Sequence, residues 1–105
     1  MNFTERICNI LKNVGDVKAK SMVGTHNIVM NGIHLGIICT RMGDGGRWYL
    51  KKTSAGDAFL TASNEKLETG IKGNSYIITD FSDEEKICIL AKITHNELVK
   101  MKHKV

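Results

Sequence analysis

The sequence predicts an α+β domain in which helices pack mainly on one side of an antiparallel sheet of about five strands. Two observations predict this class. An Asn-Gly pair, Asn31-Gly32, lies between two apolar runs, which is the strongest short-range signal for a β-hairpin. Apolar residues near both ends of the chain recur at helical spacing. The length of 105 residues suits one domain, residues 1–105, with the element order α-β-β-β-β-α-β-α.

The first predicted helix begins just after Thr4, its expected N-cap, and ends at Gly15, which we expect to adopt the left-handed stop conformation. Its apolar face comprises Phe3, Ile7, Ile10, Leu11 and Val14. Residues 17–23 then alternate, which indicates a half-buried strand. The core side of this strand would hold Val17, Ala19, Ser21 and Val23. Its solvent side would hold Lys18, Lys20 and Met22.

The Asn31-Gly32 turn connects the second and third predicted strands, residues 28–30 and 33–39. A type I′ turn needs positive φ at both central residues, and Asn and Gly adopt it at low cost. Gly24, between the first two strands, is a further predicted turn position.

A fourth strand is predicted at residues 47–51, after a connection that contains Gly43, Gly45 and Gly46. This connection lacks the lysine and the following helix of a phosphate-binding loop, so we interpret it as a flexible hairpin loop. Trp48 and Tyr49 must point to opposite faces of the strand. One is expected in the core, and the other at the surface beside Arg47 or Lys51.

The following segment predicts a short helix, a polar loop and a fifth strand. Ser54 is expected to cap the helix, with Asp57 three residues later in a capping-box arrangement. Residues 63–74 are mostly polar and favour a loop. Residues 75–80 are β-branched and aromatic in character, which favours a strand.

The last helix is predicted to open at Ser82, with Glu85 completing a capping box. An apolar stripe follows at helical spacing: Ile87, Leu90, Ala91, Thr94, Leu98 and Met101. Acidic residues at the start of this helix and lysines at its end match the helix macrodipole. That match explains the lysine-rich end without a binding partner.

The net charge of +4 belongs largely to the end of the chain. Residues 100–105 contain three lysines and no acid, so the remainder carries about one net positive charge. A nearly neutral body argues against a general affinity for nucleic acid. No apolar run approaches the ~20 residues of a bilayer span, and no signal-peptide pattern is present. We therefore expect a cytoplasmic protein with no membrane contact.

No pattern in the sequence indicates catalytic or cofactor chemistry. The cysteines, Cys8, Cys39 and Cys88, lie among aliphatic residues and are expected to be small buried thiols in a reducing compartment. The histidines, His26, His34, His95 and His103, are widely spread, and none is placed at ligand spacing from Cys, Asp or Glu. We expect no metal, no cofactor and no enzymatic activity.

The block from Val17 to Lys51 resembles the N-terminal domain of the TfoX/Sxy competence-regulator family. That family shows one or two basic residues, Met-Phe-Gly, an apolar strand, an Asp-Gly-type turn, a second apolar strand and a Leu-Tyr-Leu-Lys/Arg motif. The equivalents here are Lys20, Met22-Val23-Gly24, Ile28-Val29-Met30, Asn31-Gly32, Ile33 to Cys39 and Trp48-Tyr49-Leu50-Lys51. Phe59 in the short helix and the segment from Ser75 to Phe81 extend the resemblance over nearly the whole chain.

The sequence departs from the family pattern in three places. Val23 replaces the usual aromatic residue, Thr25-His26-Asn27 replaces a Gly-aromatic-Gly run, and the loop from Arg41 to Gly46 is longer. The resemblance implies a secretion-chaperone-like topology that is often found in dimerising proteins. A sheet covered mainly on one side also leaves a face or an edge for self-association, so we expect a two-fold homodimer. Full-length members carry a second, helical domain and act with a cyclic-AMP-responsive transcription activator. We expect this chain to end without that domain, so the role is not carried over directly.

The leading prediction is a non-enzymatic protein-interaction module, related to competence or transcription, that acts through a protein partner. The predicted interaction surface comprises Lys18, Lys20, Arg47, Trp48, Tyr49 and Lys51. The alternative is direct nucleic-acid binding through Lys18, Lys20, Arg41, Arg47, Lys51 and Lys52. A small enzyme of unknown reaction ranks third. Added salt tests the alternative, because binding through phosphate contacts weakens steeply as salt rises.

Overall fold

Three helices lie against a six-stranded antiparallel sheet in the residues that the computed structural model describes, 3–22, 25–39, 46–70 and 72–103. The elements are α1 (Phe3–Leu11), β1 (Val17–Met22), β2 (Thr25–Met30), β3 (Ile33–Cys39), β4 (Arg47–Lys51), α2 (Ser54–Ala62), β5 (Thr69–Gly70), β6 (Ser75–Ile78) and α3 (Glu84–His103). The predicted α+β class and element order are confirmed, with the short strand β5 added inside the predicted loop. Three predicted loop or turn glycines, Gly24, Gly43 and Gly45, lie outside the described residues.

The strands lie in the order β1-β2-β3-β4-β6-β5, and every neighbouring pair is antiparallel. β2 begins at Thr25, earlier than predicted, because residues 25–27 pair with β1 on one side and with β3 on the other. β6 ends at Ile78, earlier than predicted. β1 and β5 form the two edges of the sheet.

The turn between β2 and β3 has the predicted conformation, with φ of 49° at Asn31 and 82° at Gly32. The Asn31 backbone N–H donates to the Asp16 carbonyl at 2.8 Å, and the Asn31 side-chain Oδ1 accepts the Asp16 N–H at 2.8 Å. Asn31 therefore fixes the turn and also ties it to the residue before β1.

β3 contains a β-bulge at Leu35. The pairing with β2 shifts between Ile28 and Val29, which leaves Leu35 without a partner in that strand. Leu35 is fully buried. The next residue must be glycine, because a Cβ at Gly36 would lie 2.1 Å from the Tyr49 carbonyl oxygen.

One face of the sheet is covered by the three helices, and the core lies between them. The buried strand residues are Val17, Ile28, Met30, Leu35, Ile38, Trp48, Leu50, Tyr76 and Ile78. The helices add Ile7, Ile10, Leu11, Leu60, Ile87, Cys88, Leu90 and Ala91 to the same cluster. At its margin, Phe3 and Phe81 meet edge to face, with ring centroids 5.1 Å apart.

The two ends predicted for α1 are wrong. Thr4 lies inside the helix rather than at its N-cap, and Gly15 does not adopt a positive φ. The chain leaves the helix through a tight turn in which the Asn13 side-chain amide donates to the Ile10 carbonyl at 3.0 Å. This bond satisfies one of the terminal carbonyls, so no left-handed glycine is needed there.

Both predicted serine caps are displaced by one residue. Thr53, not Ser54, caps α2, and its Oγ1 accepts a first-turn backbone N–H at 2.9 Å. Asp83, not Ser82, caps α3, and its Oδ1 accepts the Lys86 N–H at 3.1 Å. Threonine and aspartate offer a capping oxygen like that of serine, so the pattern alone does not decide between neighbours.

Candidate functional site

Alternate strand residues point away from the helices and form the second side of the sheet, which we call the open face. Its principal members in the described residues are Lys18, Lys20, Val29, His34, Ile37, Cys39, Arg47, Tyr49, Lys51 and Ile77. The three described helices all pack on the opposite side, against the core. The open face is therefore the side of the sheet that can meet a partner.

The open face is basic. It holds all the lysine and arginine residues of the described strands: Lys18, Lys20, Arg47 and Lys51. These strands contain no aspartate or glutamate, and the described acids lie in the helices and connections. Cations gathered on a face without acids produce a positive potential in front of the sheet.

An apolar row crosses the middle of the open face. Tyr49 pairs with Ile37 on one side and with Ile77 on the other, so the three side chains stand next to one another across β3, β4 and β6. A Cβ at Gly70 would come within 3.2 Å of the Tyr49 ring and 3.1 Å of Ile77, so both side chains lie over this glycine. All three are half-buried, which leaves part of their apolar surface for a partner.

β4 separates its two aromatic residues as predicted. Tyr49 is half-buried on the open face, whereas Trp48 is 0% exposed in the core. The inclusion of Trp48 in the predicted interaction surface is therefore wrong, because the two-residue period of the strand turns it towards the helices. Its indole Nε1 has no hydrogen-bond acceptor among the described residues.

β1 is an edge strand with an exposed surface. Val17 is buried, but residues 18–21 are all exposed. Ala19 and Ser21 lie on the core side of β1 as predicted, because Ala19 pairs with the buried Ile28, but both are exposed because the helix layer does not shield this part of the strand. Lys18 and Lys20 share one side of β1, as their spacing predicts.

Lys52 differs from the other predicted cations. It follows β4, and its Nζ forms an ion pair with the Asp57 Oδ2 at 2.5 Å. The other carboxylate oxygen of Asp57 accepts a hydrogen bond from the Tyr76 hydroxyl at 2.5 Å. Asp57 therefore joins α2 to the sheet instead of forming the predicted capping box with Ser54. Arg41 lies outside the described residues.

A hollow of about 350 Å³ opens at the end of the sheet where β3 begins and β4 ends. It is lined by His34, Gly36, Ile37, Tyr49, Lys51, Lys52, Asn74, Ser75, Leu98 and Met101. The apolar stripe of α3 is buried as far as Thr94, whereas Leu98 is half-buried and Met101 is 58% exposed. No motif indicates this hollow; the one signal in the sequence is an apolar stripe that continues beyond the core.

The histidines occupy separate places. Burial lowers the pKa of His34, and the charge of Lys51 lowers it further, so His34 is mostly neutral at pH 7. His26 lies 3.2 Å from the Ser21 hydroxyl. Within the described part of the chain, no three His, Cys, Asp or Glu side chains come together as a metal site.

The cysteines are free thiols. Cys88 is buried and its Sγ donates to the Ile10 carbonyl at 3.2 Å, whereas Cys8 and Cys39 are half-buried. Burial raises the pKa of the Cys8 and Cys88 thiols, which disfavours the reactive thiolate. The predicted burial is thus confirmed for Cys88 and is partial for the other two.

No family model matches this chain, and no curated protein or solved structure is similar enough to it to count as a match. None of the helices in the described ranges combines the length and the apolar character that a membrane span requires. The candidate site is therefore defined by its own geometry, as the open face and the hollow at its end.

Proposed function

We propose that this chain is a cytoplasmic, non-enzymatic interaction module of the TfoX N-terminal kind, which binds an acidic protein partner through the open face and affects transcription through that partner. The composition of the open face carries the proposal: basic residues from two strands, a central apolar row and no acid in the described strands. The family part of the proposal rests on the sequence resemblance, which implies a sheet flanked by helices, and the fold is of that general kind.

The open face offers both parts of a protein-binding surface. Tyr49 is held between Ile37 and Ile77, so it loses little freedom on binding and is suited to anchor a partner. Lys18 and Lys20, at the β1 edge, would speed association with a partner of opposite charge and reject a basic one. An acidic surface with an apolar centre complements this arrangement.

Single-stranded nucleic acid is the second candidate, because the same cations could contact phosphates while Tyr49 stacks on a base. It ranks second because Tyr49 is the only phenylalanine, tryptophan or tyrosine among the open-face positions of the described strands, and His34 is the one other ring there. Its neighbours in the row, Ile37 and Ile77, are aliphatic. Sheet platforms that bind nucleic acid usually stack two or three bases on aromatic side chains.

The first experiment identifies the partner and maps where it binds. A photo-crosslinking amino acid is placed at Lys20 on the open face or, as a control, at the exposed Lys92 on α3. We expect a partner that is captured from position 20 and not from position 92, and that presents an acidic surface.

The second experiment measures the affinity of the purified partner for charge variants. Lys18→Glu/Lys20→Glu should weaken binding at least about tenfold, since it places like charges opposite an acidic partner. Lys12→Glu/Lys92→Glu makes the same change in net charge at exposed positions outside the open face and should leave the affinity nearly unchanged. Equal losses for the two double variants would contradict a specific open-face interface.

Two further measurements separate the remaining candidates. A labelled single-stranded oligonucleotide is titrated into the wild type and into Tyr49→Ala. Tight binding that weakens steeply with salt and is lost in Tyr49→Ala would show that the partner is nucleic acid and not protein. Light scattering on the free chain tests the expected homodimer. If the wild type has the mass of a dimer and Lys18→Glu/Lys20→Glu does not, the occupant of the open face is a second copy of the chain.

A further inference from the structure

We propose that the hollow at the end of the sheet binds a small organic carboxylate with an apolar body, such as a medium-chain fatty acid. This inference goes beyond the proposed function, because it concerns a small ligand and does not depend on a protein partner. The volume of about 350 Å³ lies at the lower end of the range for small-molecule sites.

The walls of the hollow suit an apolar body. Leu98 and Met101 line it from the last turns of α3, and Ile37 lines it from β3. Met101, at 58% exposed, is the more exposed of the two large apolar side chains that protrude from the described surface. A bound alkyl chain would remove this surface from water, and the flexible methionine can adapt to its shape.

Backbone forms part of the wall of the hollow. Gly36 lines it, and a Cβ at that position would meet the backbone of β4, at 2.1 Å from the Tyr49 carbonyl oxygen. Only glycine fits at this position, so the wall of the hollow at Gly36 is bare backbone. Ser75, at 6% exposed, adds a hydroxyl to the same lining.

The charges around the hollow fit one negative group. Among the described residues, no acid lines it and no carboxylate forms an ion pair with Lys51. Lys52 is already paired with Asp57, so Lys51 is the cation that remains for a ligand. Lys51 lies close enough to lower the pKa of His34, and a mostly neutral His34 can still donate a hydrogen bond to a carboxylate.

A phosphate fits this site less well than a carboxylate. Phosphates are usually held by several donors, often at a helix N-terminus. The helix at this hollow contributes its C-terminal turns, whose dipole is negative. One lysine can balance a single carboxylate charge against that dipole, whereas a multiply charged group would lack partners.

The test is a titration of the ¹⁵N-labelled chain with octanoate, followed by amide shifts in the NMR spectrum. We expect shifts at the start of β3, the end of β4 and the last turns of α3, and much weaker binding of 1-octanol. Lys51→Met keeps the apolar stem of the side chain and should lower the octanoate affinity about tenfold. Lys92→Met removes a charge from an exposed face of α3 and should not change it.

The outcomes separate this site from the proposed function. Equal binding of octanoate and octanol, no effect of Lys51→Met, or shifts confined to another region would each overturn the carboxylate site. Ile37, Tyr49 and Lys51 belong to both the open face and the hollow, so an acidic partner and octanoate should compete if both proposals hold. Lys18→Glu/Lys20→Glu should leave octanoate binding intact, so failure of the partner proposal would not affect this test.

Discussion

The two sides of β4 have different surroundings. Trp48 and Leu50 are 0% exposed beneath the helices, whereas Arg47, Tyr49 and Lys51 are half-buried on the open face. One short strand therefore supplies core side chains and the proposed binding side chains in alternation. Because different side chains serve the two purposes, substitutions should separate stability from binding even between adjacent positions.

The two layers also differ in charge. The described strands carry lysine and arginine but no acid, whereas α3 begins with Glu84 and Glu85. These acids stabilise the positive end of the helix dipole and do not need an outside partner. An acidic partner would be attracted to the open face and repelled by the start of α3, which gives the proposed complex a preferred orientation.

The largest loss of stability is expected at Gly36, where the backbone of β4 leaves no room for a side chain. In Gly36→Ala the new Cβ would lie 2.1 Å from the Tyr49 carbonyl oxygen and 3.0 Å from the Leu50 Cα. Backbone atoms of a paired strand cannot move aside without breaking the β3–β4 ladder. We expect the free energy of unfolding to fall by about 4 kcal/mol or more, or the chain not to fold, as measured by urea denaturation.

Gly15→Ala is the matched control for this prediction. Its Cβ would meet the Met30 Cγ at 2.8 Å, but this neighbour is a side-chain atom that can shift. The expected loss is about 1–3 kcal/mol, as for ordinary overpacking. A loss at Gly36 no larger than the loss at Gly15 would show that the close approach of β3 and β4 is wrong.

Two adjacent isoleucines test the assignment of the faces directly. Ile38 is 0% exposed in the core, whereas Ile37 is half-buried on the open face. Ile38→Ala should cost about 3 kcal/mol and Ile37→Ala about 1 kcal/mol, because only the first leaves a cavity in the packed core. Both changes remove the same atoms from the same strand, so thermal or urea unfolding reports the difference in surroundings. Equal losses, or a larger loss at Ile37, would reverse the faces.

A smaller effect is expected at the turn that sets the register of both faces. Asn31→Ala loses a side-chain acceptor for the Asp16 N–H and places alanine at a φ of 49°. We expect a loss of about 1 kcal/mol in the free energy of unfolding. Asn31→Asp keeps an acceptor and tolerates positive φ, so it should lose less. A turn variant that unfolds at the wild-type midpoint would contradict the role given to Asn31.

Local patterns in the sequence predicted the parts of the fold that depend on local geometry. The Asn31-Gly32 turn needs only two residues that accept positive φ, and the two-residue period then places Trp48 and Tyr49 on opposite sides. The cap positions differ by one residue because Thr53 and Asp83 can provide the same hydrogen bond as the serines beside them.

Features that depend on distant residues were not predictable. β5 exists because it pairs with β6, next to a bond from the Ile77 N–H to the Glu68 carbonyl at 2.8 Å. The hollow depends on α3 continuing beyond its last fully buried residue, so that Leu98 lines the same hollow as His34. The pairing of β5 leaves no pattern within one segment, and the apolar stripe of α3 does not show which strands its last residues meet.

The smallest effect is expected from Asp57. Its carboxylate in α2 accepts the hydrogen bond from Tyr76 and so links that helix to the covered face of the sheet. Its pKa is lowered from the ordinary 3.8, first by the hydrogen bond from Lys52 and then by the one from Tyr76. A carboxyl whose pKa is lower in the folded state contributes stability above its unfolded pKa and loses it as the pH falls through the folded value. The free energy of unfolding should therefore fall more steeply below about pH 4 in the wild type than in Asp57→Asn, with Tyr76→Phe between them.

The difference should be small and should shrink in salt, because the Asp57 side chain is 44% exposed. Urea denaturation at a series of pH values measures these slopes, and equal slopes for the wild type and Asp57→Asn would remove Asp57 as a link between α2 and the sheet.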